Sequence, residues 1–404
     1  MNEVPPARPA SGEDRHATWL ELFFDLVAVA GVAQIAHLLH GEPGASELGL
    51  YVLLFLAFWT AWICFTLYGN VAGEGTHART VLAAMFGMAV MAAAVPGVHE
   101  GEDGQARALA VAYVLIRMLA NSAWRHRREI LVDWPAAQLS LGVIPWIVSL
   151  WAQEPARYWL WALGIALDLY VTFTVSARDI IANRKAHDRR EETRSRRRGA
   201  VPRVSVAAPD ADHLSERLGL FVIIVLGEGV AQVIEAASEA RWDRRLYGLA
   251  AAAFFLLVAL WSLSFRHGYA GVPYLTARSL PARAALPLHC FVSGCLAALA
   301  AGLGAAAEHL DTLPQSTRWL LCSSLSGYFL LTGIAALRQP GGVRRWMLSV
   351  VVPCCTLPLL IAGFGAGLGT VALVWLLVAV TLWPTFYESR RARRPREAIA
   401  QGET

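Results

Sequence analysis

Apolar positions in this chain come in long blocks, not in single alternations. Twelve apolar runs recur, at approximately 18–40, 48–69, 78–98, 105–124, 134–152, 156–178, 214–236, 246–266, 283–306, 316–337, 344–363 and 366–387. Each is close to the roughly 20 residues that an α-helix needs to cross a hydrocarbon core. The run at 134–152 contains Pro145, and only the glycines between Gly363 and Gly367 divide the last two. The pattern predicts an all-α polytopic transmembrane bundle of about twelve spans.

Composition points the same way. Of 404 residues, 56% are hydrophobic and 16% charged, with a mean hydropathy of +0.44. A soluble domain carries about 25% charged residues, and water would meet too much apolar surface here. Twelve spans use most of the chain and leave no room for a separate soluble domain. Residues 1–17 lack the charged-then-apolar pattern of a cleaved signal, so the first apolar run is expected to stay as a helix.

Charge divides the chain and orients it. The basic run Arg184–Arg203 separates an expected six-helix unit at 1–183 from a second at 212–404, with 184–211 as linker. Arginines cluster at alternate breaks: Arg125 to Arg128, Arg184 to Arg203, Arg266 to Arg283, Arg338 to Arg345 and the tail from Arg390. The intervening breaks are acidic or neutral, except for Arg241, Arg244 and Arg245. The positive-inside rule therefore puts both termini in the cytoplasm. The expected role of Arg184–Arg203 is topological, with attraction to anionic lipid. No aromatic residue interleaves these arginines, so no nucleic acid is expected.

The two units carry a repeat. Leu20–Ile35 aligns without gaps on Leu218–Val233, and both segments share Gly-Val-Ala-Gln, at Gly31–Gln34 and Gly229–Gln232. Trp62 and Gly69 correspond to Trp261 and Gly268 in the following runs. Six helices per unit make the repeat parallel, with a site expected between the halves near the midplane.

Two segments carry a family resemblance. Thr18-Trp-Leu-Glu-Leu-Phe-Phe-Asp-Leu-Val27 and His213-Leu-Ser-Glu-Arg-Leu-Gly-Leu-Phe-Val-Ile-Ile-Val-Leu-Gly-Glu-Gly229 resemble the bacterial low temperature requirement protein A family, in order and separation. The likeness covers nearly the whole chain. It implies a multi-pass protein of the bacterial inner membrane and no particular reaction.

Ionisable groups inside a span cost about 2.5–3.5 kcal/mol each on insertion scales, so they are the first functional candidates. At 1.5 Å per residue, Asp25 and Arg117 lie roughly 10 Å deep and Asp168 and Glu228 about 15 Å deep. Equal depth predicts an Asp25–Arg117 ion pair. Asp168 and Glu228, if they face each other, would share a proton or cation, and whether they do is left open. Glu21 shares a helix face with Asp25, and Gln34 and Gln232 occupy equivalent repeat positions. The expected pathway is therefore Glu21, Asp25, Gln34, Arg117, Asp168, Glu228 and Gln232, and Glu228→Gln is expected to abolish flux. Bland alternatives are interhelical hydrogen bonds for the glutamines and a structural pair for Asp25.

His37 and His40 lack further nearby ligands in sequence for a metal. The six cysteines form no metal pattern, and neither a Walker loop nor a dinucleotide fingerprint is present. No cofactor is expected and no residue is assigned a catalytic role. Trp151, Trp159, Trp161, Trp319 and Trp346 are expected in an interfacial belt. The leading reading is a secondary transporter linked to a proton or small cation. The others are a membrane enzyme acting on lipids and a sensor or assembly factor using the basic loop. Substrate and oligomeric state are left open.

Overall fold

The computed structural model describes residues 16–127, 129–131, 134, 141–174, 205–266, 282–336 and 346–402. The run Arg184–Arg203 lies outside the described residues, as do 135–140 of the fifth expected span. Among the described residues there are twelve α-helices: α1 Trp19–Ala36, α2 Ala45–Ala72, α3 Ala78–His99, α4 Asp103–Arg127, α5 Val143–Val148 and α6 Ala156–Thr174, then α7 Ala211–Glu239, α8 Arg244–Arg266, α9 Ala282–Glu308, α10 Gln315–Ala336, α11 Val352–Phe364 and α12 Thr370–Gly402. One helix falls on each expected span. Two three-residue strands, β1 Glu129–Leu131 and β2 Ser205–Ala207, pair in parallel.

Among the described residues, nine helices are long and apolar enough to cross a membrane: α1 to α4, α7 to α9, α11 with its preceding turn, and α12. Among the described residues, the fifth expected span contributes the six residues of α5 and a 3₁₀ turn through Trp151. Large apolar side chains also cover the outside. Phe86, Leu115 and Phe254 are more than half exposed, which suits lipid as the surrounding solvent. Trp151 and Trp159 are exposed as expected of a belt, but Trp161 and Trp346 are buried. Trp161 stacks on Trp146 with ring centroids 4.9 Å apart.

Helix ends follow local chemistry. Thr18 caps α1 in a capping box: its hydroxyl accepts the Glu21 N–H, and the Glu21 carboxylate accepts the Thr18 N–H at 2.8 Å. Asp210 caps α7, accepting the N–H groups of Asp212 and His213. A turn of π-helix at Met347–Val351 leads into α11.

Several helix neighbours correspond between the first six helices and the last six. In the first, α1 packs on α2 and α3, α3 on α4, α4 on α5, α5 on α6, and α2 on α6. In the second, α7 packs on α8 and α9, α9 on α10, α10 on α11, α11 on α12, and α8 on α12. The sets meet where α1 and α2 cross α7 and α9. A Cβ on Gly31 would fall 2.2 Å from the Phe58 ring, so only glycine permits the α1–α2 approach that closes this centre.

Candidate functional site

The crossing of α1, α2 and α7 brings four ionisable side chains together in the interior. Asp25 is fully buried. Arg217 of α7 grips it with a two-pronged fork, Nε donating to Oδ2 at 2.9 Å and Nη2 to Oδ1 at 2.5 Å. Trp62 Nε1 of α2 donates to the same Oδ1 at 2.8 Å. The third guanidinium nitrogen, Nη1, lies 3.2 Å from Glu21 Oε1. One arginine from the second set thus holds two carboxylates one turn apart on α1.

His213 joins the group with Nε2 3.4 Å from Glu21 Oε2. Its tautomer follows from its other neighbour. The Asp210 N–H donates to Asn70 Oδ1 at 2.8 Å, which fixes how that amide is turned. Asn70 Nδ2 then donates to the Asp210 carbonyl and faces His213 Nδ1, each at 3.0 Å. Nδ1 must accept, so the ring proton sits on Nε2, towards Glu21. Beside Glu21 and Arg217 is a cavity of about 260 Å³, walled also by Thr18, Phe24, Phe65 and Thr76.

The network extends along the seam through neutral groups. His289 of α9 accepts from Trp59 Nε1 at 3.2 Å and turns Nε2 to the Leu218 carbonyl at 3.0 Å. Both ring nitrogens of a neutral imidazole are satisfied this way.

A second buried pair lies wholly within the first set. Arg117 Nη2 of α4 is 3.0 Å from Asp168 Oδ2 of α6, and Nη1 donates to Cys64 Sγ at 3.2 Å. The Gly142 N–H donates to Asp168 Oδ1 at 3.2 Å. Gly142 and Gly164 let the backbones around α5 and α6 touch here: a Cβ on Gly142 would lie 2.4 Å from the Gly164 carbonyl oxygen. Tyr113 lies against Trp146, ring centroids 4.1 Å apart, and closes this pocket of charge.

Two expected pairings are therefore corrected. Asp25 meets Arg217, not Arg117, and Arg117 meets Asp168. Asp168 and Glu228 do not share a site. Glu228 is half-buried and accepts from Gln232 Nε2, one turn on in α7, at 2.6 Å. Gln232 is buried against Gly304 of α9, where a Cβ would lie 3.2 Å away. Gln34 is half-buried on α1. Equal depth fixes one coordinate of a side chain; the face it occupies is set by packing.

Sequence reasoning passed over Arg217, His213, Asn70 and Trp62. A signal existed for Arg217, which lies inside the apolar run 214–236 and so qualifies as an intramembrane charge. Another existed for Glu21, since Thr18-x-x-Glu21 is the pattern of a capping box.

Over residues 16–393 the chain matches the family of bacterial low temperature requirement A protein (LtrA). The chain belongs to that family. It is also 27% identical over 235 residues to an uncharacterized protein of Rhizobium meliloti (strain 1021), a match covering 56% of this chain and 52% of that protein. The chain thus spans about half the length of the curated relative it matches. In this LtrA membrane protein the two segments that carry the resemblance are brought together. Glu21 and Asp25 come from the first, and His213 and Arg217 from the second.

Proposed function

We propose that this LtrA protein is a proton- or cation-linked secondary transporter whose coupling site is the Glu21–Asp25–Arg217 cluster with His213. One observation carries the reading: two carboxylates of α1 share a single guanidinium of α7, beside a cavity, where the two sets of six helices cross. A shared arginine neutralises neither acid fully. Protonation or cation binding at Glu21 or Asp25 then changes the attraction that holds the two sets together. That couples ion occupancy to the relative position of the halves, which alternating access needs.

The reading includes twelve spans in two parallel repeats, 1–183 and 212–404, with both termini cytoplasmic in the bacterial inner membrane. The matching helix neighbours in the two sets and the shared Gly-Val-Ala-Gln support duplication. The reading keeps the expectation that the basic linker 184–211 is cytoplasmic and attracts anionic lipid.

The test is proton flux into dye-loaded proteoliposomes driven by a potassium diffusion potential. Wild type acidifies the lumen, and Asp25→Asn, which keeps shape and loses the titrating group, slows this at least about tenfold, or 1.4 kcal/mol. Equal flux in a folded Asp25→Asn protein would remove the cluster from the mechanism.

A further inference from the structure

The cavity beside Glu21 has a lining that a proton site does not require. Its volume is about 260 Å³. That is room for several waters at about 30 Å³ each, and below the roughly 300–1,000 Å³ that drug-sized ligands occupy. The phenyl rings of Phe24 and Phe65, centroids 6.0 Å apart, form part of its wall with Leu20 and Val81. Oxygen comes from the Thr76 hydroxyl and from the Glu21 carboxylate, which already meets Arg217 at Oε1 and Thr18 and His213 at Oε2. Thr76 Oγ1 donates to the Gly73 carbonyl at 2.7 Å and keeps lone pairs to accept with.

Charge and donor chemistry narrow the occupant. Arg217 borders the cavity, but its three nitrogens are turned to Asp25 and Glu21. An anion would meet the Glu21 carboxylate and a guanidinium already engaged. A bare metal cation replaces its water with a shell of about six or more oxygens, whereas this wall is mostly carbon. A cation that brings its own apolar surface meets both features: carboxylate for its charge and phenyl rings for its flanks.

We propose that this cavity binds a small organic ammonium ion between Glu21 and the Phe24 and Phe65 rings. The inference rests on the transporter reading and names the class of solute that enters its site. The ammonium belongs to a free amine or to a phosphatidylethanolamine headgroup.

Calorimetric titration of the purified protein in detergent tests this with tetramethylammonium, ethylammonium and sodium chlorides at equal ionic strength. Both ammonium ions bind saturably and sodium does not. Thr76→Trp fills the cavity from its rim, leaves every side chain of the ion cluster unsubstituted, and lowers ammonium affinity at least about tenfold while the thermal midpoint stays near wild type. Phe65→Leu weakens tetramethylammonium about two- to thirtyfold, the range from an exposed to a desolvated cation–π contact. Absence of saturable ammonium binding to folded wild type, or wild-type affinity in both variants, overturns the proposal. Binding needs no gradient, so the two readings fail separately. Proton flux that depends on Asp25 without ammonium binding removes only this inference. Ammonium binding without flux removes only the transporter. Nanodiscs of phosphatidylglycerol with and without phosphatidylethanolamine identify the source: competition by the second lipid assigns the headgroup, and its absence a free amine.

Discussion

The Arg117–Asp168 pair and the Arg217 cluster are both buried ion pairs inside an apolar bundle, yet they are built differently. Asp168 meets one arginine and one backbone N–H, inside one set of helices, packed by glycines and aromatic rings. Arg217 reaches from the second set to two carboxylates of the first, and a cavity opens alongside. A carboxylate that meets a single arginine within one set of helices has nothing to gain from a change of charge state. A guanidinium shared by two acids across a seam does. Burial alone, then, does not mark a coupling group; stoichiometry and position relative to the seam do.

The largest expected effect is at Arg217. Arg217→Met leaves Asp25 and Glu21 buried without their common partner, and stability falls by about 3–5 kcal/mol. This reads as a lowered thermal midpoint in detergent, and adding Asp25→Asn recovers part of it. A midpoint within a degree of wild type for Arg217→Met would mean that the guanidinium is not what holds the seam.

Asp168→Leu alone costs a similar 3–5 kcal/mol, because Arg117 is stranded. The double variant Arg117→Met with Asp168→Leu returns close to wild-type stability, as replaced buried pairs often do. The comparison demands more: the double variant keeps its proton flux. Loss of flux in a stable double variant would put Arg117 and Asp168 in the pathway and end the distinction drawn between the two pairs.

These contrasts mark how far sequence reading reaches. The helices were legible because lipid forces each span to satisfy its own backbone and to be apolar for its whole length. Intramembrane charges were legible for the same reason, as exceptions. Their partners were not. Asp25 and Arg117 matched in depth, but so do Asp25 and Arg217, each six residues into its helix, or about 9 Å along the axis. Which pair forms depends on which face of α1 meets α7, and that is fixed by contacts such as Gly31 on Phe58, not by depth. Glu21 was legible as a candidate but not as a cap, because the Thr18 side was read as a family motif and not as helix chemistry.

A smaller effect is expected at Asn70. Asn70→Leu removes the acceptor for the Asp210 N–H and the donor to His213 Nδ1. Buried polar groups left unmatched cost about 1–3 kcal/mol, read again as a drop in thermal midpoint. Asn70→Asp keeps the acceptor for Asp210 but presents an oxygen to Nδ1, which favours a proton there. Nitrogen NMR of labelled imidazoles distinguishes the tautomers: wild type carries the His213 proton on Nε2, and an Nδ1–H signal in wild type would refute the lock by Asn70.

The smallest effect is expected where sequence reading placed the largest. Matched depth made Glu228 a candidate for a carboxylate pair, and Glu228→Gln was expected to abolish flux. In the structure Glu228 is half-buried and its partner, Gln232, is neutral and on the same helix. Glutamine at 228 still accepts from Gln232 Nε2, so the loss is no more than the charge assistance of one hydrogen bond, about 0.5–1.5 kcal/mol. No arginine is shared there, and no seam contact changes strength when the proton is fixed. Flux in Glu228→Gln should therefore stay within a few-fold of wild type, far above Asp25→Asn. If the two variants are equally inactive, coupling runs the length of α7 and the contrast between the shared arginine and other buried acids does not decide function.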